Sequence, residues 1–103
     1  MINNRNESIW SIDSNYNFLT FNHFFKEAYR TAFNVELKKG LNALDILTPE
    51  LTDFWKPKYL SCLTGERIVF EFSNSAGDEL RHYSVALNPI QSDGQITGVS
   101  ALS

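Results

Sequence analysis

Few side chains in this sequence could act as nucleophiles or metal ligands. Cys62 is the only cysteine, and the two histidines, His23 and His82, stand far apart. A structural metal site needs about four such ligands close together, so the spacing predicts none. A lone cysteine cannot form a disulfide within the chain, which suits a reducing compartment. Cys62 lies on the apolar side of a predicted helix and is therefore expected to be buried rather than reactive.

The carboxylates are too dispersed to indicate a catalytic pair. Most of the 12 acidic residues fall in predicted turns, at helix starts or on polar faces. Only Asp45 and Glu71 stand in apolar segments, and Glu71 points away from its neighbours Phe70 and Phe72. An acid–base enzyme needs a carboxyl group or a His–Asp pair that faces a cavity. A small isomerase or dehydratase on a cone-shaped α+β scaffold therefore remains an alternative, and it depends on Asp45.

Length and charge restrict the partners of the chain. Its 103 residues suffice for one domain, which we take as residues 1–103, and the formal net charge is −3. A nucleic-acid-binding surface would need a basic patch, and none is visible. No apolar run approaches the ~20 residues that cross a bilayer, and the polar start is no signal peptide. We expect a cytoplasmic location, no nucleic acid partner and no membrane insertion.

The first half of the chain alternates strand and helix patterns. Residues 8–22 predict a hairpin, with a turn at Asp13-Ser14-Asn15, and residues 1–7 a flanking segment. Residues 22–65 form a helical middle. Asn22 is placed to cap its first helix, whereas Thr48-Pro49 begins its last one.

Two residues govern the end of that last helix. Pro57 removes an amide and clashes with the preceding turn, so we expect a kink or break near Trp55-Lys56. Gly65 is placed to end the helix. Between the two helices, residues 41–47 predict a short helical turn.

Residues 66–103 form a three-strand meander. Its predicted strands cover residues 68–72, 80–90 and 96–102, and glycine-containing turns at residues 75–78 and 92–94 join them. Period-two alternation places Ile68, Phe70 and Phe72 on one face of the first strand. Tyr83 and Val85 share one face of the second strand.

In this order and spacing, over nearly the whole chain, these pieces resemble a PAS (Per-Arnt-Sim) sensor domain. The residues that carry the resemblance are Ile9 to Asp13 followed by Asn22; Gly40-Leu41-Asn42 through Asp45-Ile46-Leu47; Tyr59 through Leu63-Thr64-Gly65-Glu66; and Asn88-Pro89-Ile90 followed by Gly94 and Gly98-Val99. The resemblance implies an α+β, profilin-like fold, with a five-stranded antiparallel sheet and helices packed on one face around a small cavity. It also implies a sensory or dimerising role.

The cofactor-binding branches of the PAS family fit these residues poorly. The light-sensing flavin branch needs a cysteine after a Gly-x-Asn motif, and here Gly40-Leu41-Asn42 is followed by Ala43. The haem branch uses a histidine on the long helix as axial ligand, where this chain has none. Tyr59 stays open as an alternative axial ligand. We expect no haem and no photoactive flavin.

What remains is an aromatic-rich interior, since the chain has eight Phe, four Tyr and two Trp. One reading is a solid core that binds nothing. The other is a pocket for a small, mostly apolar ligand, oriented by tyrosine or serine hydroxyls. The predicted cavity residues are Tyr29, Leu44, Trp55, Tyr59, Phe70, Phe72, Tyr83, Val85 and Ser100.

The opposite face of the sheet is predicted to carry Ser84, Ala86, Val99 and Ala101. This face is small and half apolar, which favours a partner over water. We expect a homodimer. The family resemblance implies that the chain is a domain of a larger bacterial protein, whose effector lies outside this sequence.

The predicted function is therefore a non-catalytic sensory or interaction module of a signal-transduction protein. It would relay ligand binding or a dimer rearrangement to an attached effector, such as the histidine kinase of a two-component system. The alternatives are a dimerisation module without a ligand and the small enzyme that depends on Asp45.

Overall fold

A computed structural model of the chain describes residues 7–76 and 79–103. The elements, in chain order, are β1 (Ile9–Asp13), β2 (Phe18–Phe21), α1 (His23–Phe33), α2 (Pro49–Leu63), β3 (Ile68–Ala76), β4 (Glu79–Ser92) and β5 (Gln95–Leu102). The strands form one antiparallel sheet in the order β2-β1-β5-β4-β3. Both helices pack on the same face of this sheet, through Phe25 and Trp55 against Trp10. The predicted α+β architecture is confirmed. Of the predicted segments, residues 1–6 and 77–78 lie outside the described residues.

The N-terminal hairpin is closed by one aspartate. The Asp13 carboxylate accepts hydrogen bonds from the backbone amides of Asn15, at 2.8 Å, and Asn17, at 3.0 Å. Tyr16 takes the left-handed conformation, with φ of 68°. A side chain that bonds its own backbone two residues ahead is typical of such turns, so the predicted turn is confirmed.

Asn22 begins α1, as predicted. Its side-chain oxygen accepts from the Phe25 amide at 2.9 Å, and this bond satisfies one of the donors left free in the first turn. The same side chain reaches further than a cap requires. It also accepts from the Ile9 amide at 3.3 Å and donates to the Glu7 carbonyl at 2.8 Å. The start of α1 is therefore tied to the start of β1.

α2 begins at the predicted cap, where Thr48 accepts from the Leu51 amide at 3.3 Å. The helix then runs unbroken through Pro57, so the prediction of a break was wrong. Pro57 lies on the exposed side, where water can satisfy the carbonyl that loses its partner. The Lys58 amine also donates to the Phe54 carbonyl at 3.2 Å. The opposite side of the helix is held by its buried residues Trp55, Tyr59 and Cys62.

The connection between the helices covers the β2 edge of the sheet. Phe18 exchanges backbone hydrogen bonds with Leu41 and Gly40, each at 2.9 Å. Asn42 then caps the predicted turn, since its side-chain oxygen accepts from the Leu44 amide at 2.9 Å. Asp45 lies exposed on this turn.

The two faces of β5 are the reverse of the prediction. Val99 and Ala101 are 0% and 2% exposed, because β5 pairs Val99 with Ile12 and Ala101 with Trp10, both in the core. Ser100 is exposed on the outer face. Both faces of this strand carry small residues, so hydrophobicity alone does not say which one points inwards. The assignment of Ser100 to the cavity, and of Val99 and Ala101 to an interface, was wrong.

Candidate functional site

A cavity of about 370 Å³ lies between α1, α2 and the inner face of the sheet. Most of its lining is aromatic, and α1 supplies more of it than any other element. The described lining residues are Ser8, Trp10, Phe24, Phe25, Glu27, Ala28, Tyr29, Thr31, Ala32, Phe33, Leu47, Trp55, Tyr59, Phe72, Tyr83, Val85 and Ser103. The size is within the range of sites for small ligands, roughly 300–1,000 Å³.

The structure brings most of the predicted cavity residues together. Those found at the cavity are Tyr29, Trp55, Tyr59, Phe72, Tyr83 and Val85. Leu44 is buried in the core instead. Phe70 packs edge-on against Trp55, with ring centroids 5.2 Å apart, and does not belong to the described lining.

The lining residues that were missed are Trp10, most of those along α1, and Ser8, Leu47 and Ser103. Strand alternation already places Trp10 beside Ile12 on an inward face. Of α1, only Tyr29 was predicted, because an apolar helix face is equally consistent with ordinary packing. Only the distance between α1 and the sheet shows that part of this face borders open space.

The inner wall is a connected set of rings. Trp10 stacks on Phe25 with centroids 4.3 Å apart and an interplanar angle of 12°. It meets Trp55 edge-on at 6.1 Å, and Trp55 in turn stacks on Tyr59 at 5.7 Å. Offset-stacked and edge-on pairs of this kind add about 0.5–1.5 kcal/mol each beyond their buried area. These contacts pack β1, α1 and α2 against one another at the wall.

Two tyrosine hydroxyls are among the polar groups of the lining residues. The Trp10 indole N–H donates to the Tyr59 hydroxyl oxygen at 3.0 Å, across two buried side chains. Burial raises the pKa of Tyr59 well above its usual range. Burial, and secondarily the nearby Tyr59, raises the pKa of Tyr29 in the same way. Both hydroxyls therefore keep their protons at physiological pH.

The residue before β1 and the residue after β5 also border the cavity. Ser8 and Ser103 pair through two backbone hydrogen bonds of 3.0 and 2.8 Å, and both belong to the lining. A molecule in the cavity would contact the places where the chain enters β1 and leaves β5.

The other chemistry-bearing side chains lie away from this cavity. His23 is exposed at the start of α1, and His82 is exposed on β4, where its ring Nδ1 is 2.8 Å from the Ser73 hydroxyl. Cys62 is fully buried, and burial raises its pKa to about 11. Within the described residues, no group of three or more His, Cys, Asp or Glu is close enough to hold a metal ion.

The outer face of the sheet carries a row of apolar side chains, one on each of four neighbouring strands. Strand pairing aligns Val69 with Ala86, Ala86 with Leu102, and Leu102 with Ile9. Val69, Ile9 and Leu102 are 56%, 45% and 43% exposed. We call these four residues the outer row. Of the predicted interface residues, Ala86 lies in this row, and Ser84 is exposed on the same face.

Three solved structures share this architecture. A sensory box sensor histidine kinase from Vibrio cholerae superposes with a TM-score of 0.68 at 22% identity, over 93% of this chain and 78% of that one. A domain of a histidine kinase from Haloarcula marismortui, described as light and redox sensing, gives 0.67 at 22% identity, over 94% and 86%. The PAS domain of Bordetella pertussis BvgS gives 0.60 at 19% identity, over 93% and 72%.

Comparison of the sequence alone finds no relative. No protein-family model matches the chain, and no curated protein matches it. No helix in the described ranges is long and apolar enough to cross a membrane. The strand order, the two helices on one face and the three structural neighbours agree with the fold that the sequence motifs implied. The chain has the fold of a PAS domain.

Proposed function

We propose that this chain is a non-catalytic sensory module, which binds a small, mostly apolar ligand and relays its presence to an attached effector such as a histidine kinase. The observation that carries the proposal is the position of the cavity. Its aromatic lining suits a small apolar molecule, and Ser8 and Ser103 place the two ends of the described fold at the same site.

The chemistry of the cavity favours binding over catalysis. Glu27 is the one titratable carboxyl group among its described lining residues, and no histidine accompanies it there. Asp45, on which the enzyme alternative depends, is exposed on the turn before α2. General acid–base catalysis needs such a group within hydrogen-bonding reach of the substrate, and Asp45 is not among the described lining residues.

Native mass spectrometry of the purified chain, beside its denatured mass, tests the proposal first. We expect a mass excess that disappears on denaturation, or one that appears after incubation with a ligand mixture. A chain that keeps its bare mass under every condition would contradict ligand sensing and favour the dimerisation module.

We further propose that the chain forms a homodimer through the outer row. Exposed apolar side chains aligned across four strands are typical of a surface that is covered in an assembly. A two-fold axis that runs along the row would place each of its residues opposite its own copy, so that the two rows cover each other. In such a dimer, each cavity would be separated from the interface only by the sheet of its own subunit.

Light scattering during size-exclusion chromatography tests the interface. Leu102→Arg and Val69→Arg should each shift the population towards the monomer, because they place charge in an apolar contact. Gln95→Arg is the matched control on an exposed strand position. A dimer that survives both outer-row variants would overturn this interface.

A further inference from the structure

We propose that the cavity selects a neutral aromatic ligand with a carbonyl-type hydrogen-bond acceptor, which receives hydrogen bonds from the hydroxyls of Tyr29 and Tyr59. The inference rests on the proposed function, since it specifies the class of molecule that the cavity binds.

The first argument is the direction of the hydrogen bonds. The Tyr59 oxygen already accepts from the Trp10 indole, so its remaining capacity is mainly that of a donor. Among the described residues, neither Tyr59 nor Tyr29 has an acceptor for its hydroxyl proton. In the part of the chain that the structure describes, no buried side-chain nitrogen or oxygen lacks a hydrogen-bond partner, so the Tyr29 hydroxyl is not sealed from water. A ligand that displaces this water must supply an acceptor in its place, or the hydroxyl loses its hydrogen bond.

The second argument is charge. Glu27 is the only charged residue in the described lining, and Lys, Arg and His do not occur in it. A ligand carboxylate would lose its hydration shell there without gaining a cation, and it would approach the Glu27 carboxylate. Anionic ligands are therefore disfavoured.

The third argument separates neutral from cationic ligands. Aromatic cages hold cations over the faces of their rings. Here the faces of Trp10 and Phe25 are stacked on each other at 4.3 Å, so neither facing side is free for a cation. In the proposed contact the hydroxyls of Tyr29 and Tyr59 donate to the ligand, and a cationic group offers them no lone pair. Both features favour a neutral molecule with a lone pair.

The fourth argument is shape. Nine of the described lining residues are aromatic, namely Trp10, Phe24, Phe25, Tyr29, Phe33, Trp55, Tyr59, Phe72 and Tyr83. Aromatic ligands gain stacked and edge-on contacts from such a lining in addition to area burial. A volume of about 370 Å³ equals that of roughly a dozen water molecules at ~30 Å³ each, which leaves room for two fused rings and a substituent.

Four probes of nearly equal size separate these arguments. Methyl naphthyl ketone is neutral with an acceptor, naphthoate is anionic, naphthamidine is cationic, and isopropylnaphthalene is neutral without an acceptor. All four carry the substituent at the same ring position. The only two tryptophans of the chain, Trp10 and Trp55, both line the cavity. Their indole N–H signals in nitrogen-labelled NMR spectra therefore report on binding without a label in the site.

We expect the ketone to bind about tenfold tighter than isopropylnaphthalene, the change that one useful hydrogen bond gives. It should also bind tighter than naphthoate, which loses its hydration shell and approaches Glu27. Tyr29→Phe should remove most of the ketone's advantage and leave isopropylnaphthalene unchanged. Tyr59→Phe should act in the same direction. If the loss of the Trp10 partner unfolds that variant, Tyr29→Phe alone carries the test.

Glu27→Gln tests the charge argument. It should strengthen naphthoate binding relative to ketone binding. Equal affinities for the ketone and isopropylnaphthalene, or tightest binding of naphthoate or naphthamidine, would overturn the ligand class while the cavity remains a binding site. If none of the four probes moves either indole signal, the proposed binding function of the cavity fails with it.

Discussion

The two helices pack on the same face of the sheet, yet they are held in different ways. α2 buries Trp55, Tyr59 and Cys62, whereas α1 buries only Phe25. Much of the remaining apolar face of α1, including Phe24 and Ala28, borders the cavity instead. α2 is therefore part of the core whatever the cavity contains. Because α1 borders the cavity over much of its apolar face, the proposed function makes α1 the element whose position a ligand would change.

The largest effect expected from this comparison is at Trp55. Trp55→Ala should lower the free energy of unfolding by about 3–5 kcal/mol, because it removes a buried ring that contacts Trp10 and Tyr59. The matched variant Phe24→Ala on α1 removes a half-buried ring and should cost much less. Urea unfolding measures both. Similar losses would mean that the helices are equally anchored.

A smaller difference is expected between two tyrosines. Tyr59→Phe leaves the buried Trp10 indole without an acceptor and should cost about 1–3 kcal/mol. Tyr29→Phe removes no hydrogen bond to any described residue and should be close to neutral. Thermal unfolding of the two variants compares them directly, and a larger loss for Tyr29→Phe would reverse the roles assigned to the helices.

Alkaline pH should weaken the anchoring of α2. Burial raises the pKa of Cys62 from 9.0 to about 11, so between these values the folded chain binds this proton more tightly than the unfolded chain does. Its stabilising contribution is complete below pH 9 and is lost as pH rises through 11, by at most about 2–3 kcal/mol. Urea unfolding across this range should show the decline. Cys62→Ala should make it shallower, and an unchanged slope would exclude the thiol as its cause.

The smallest effect on global stability is expected at the helix caps. Asn22→Ala and Thr48→Ala should each cost about 1 kcal/mol. Their local effects should differ, because Asn22 also ties α1 to the start of β1, whereas Thr48 bonds only within the first turn of α2. Hydrogen exchange should show that Asn22→Ala exposes the amides of α1 and of Ile9, whereas Thr48→Ala affects only the first turn of α2. Uniform exchange across α1 and α2 in both variants would contradict the comparison.

Sequence patterns predicted the helices, strands and turns better than they predicted which side of each element is buried. The caps at Asn22 and Thr48 and the Asp13 turn are local, since each forms within a few residues of chain. The inner face of β5 is decided by its pairing with β1 and β4, and small residues on both sides of Val99 conceal it. Pro57 was misjudged because its effect depends on which side of α2 it occupies.

The candidate site was also predicted only in part. Tyr59, Phe72 and Tyr83 were found because aromatic residues on the inner faces of a helix and two strands converge at one place. Apart from Tyr29, the contribution of α1 was missed, because periodicity identifies an apolar face and not its distance from the sheet. The Trp10–Tyr59 hydrogen bond joins residues remote in sequence, and no local pattern announces it.

Under the proposed sensory function, the three hydrogen bonds of Asn22 would carry a movement of α1 to the start of the sheet. One side chain holds the first turn of α1, the amide of Ile9 and the carbonyl of Glu7. A tilt of α1 about its N-terminus therefore displaces the chain just ahead of β1, while the sheet itself keeps its register. The movement of α1 would reach the chain ahead of β1 through the side chain of Asn22 alone. Its direction would depend on whether the ligand draws α1 towards the sheet or pushes it away.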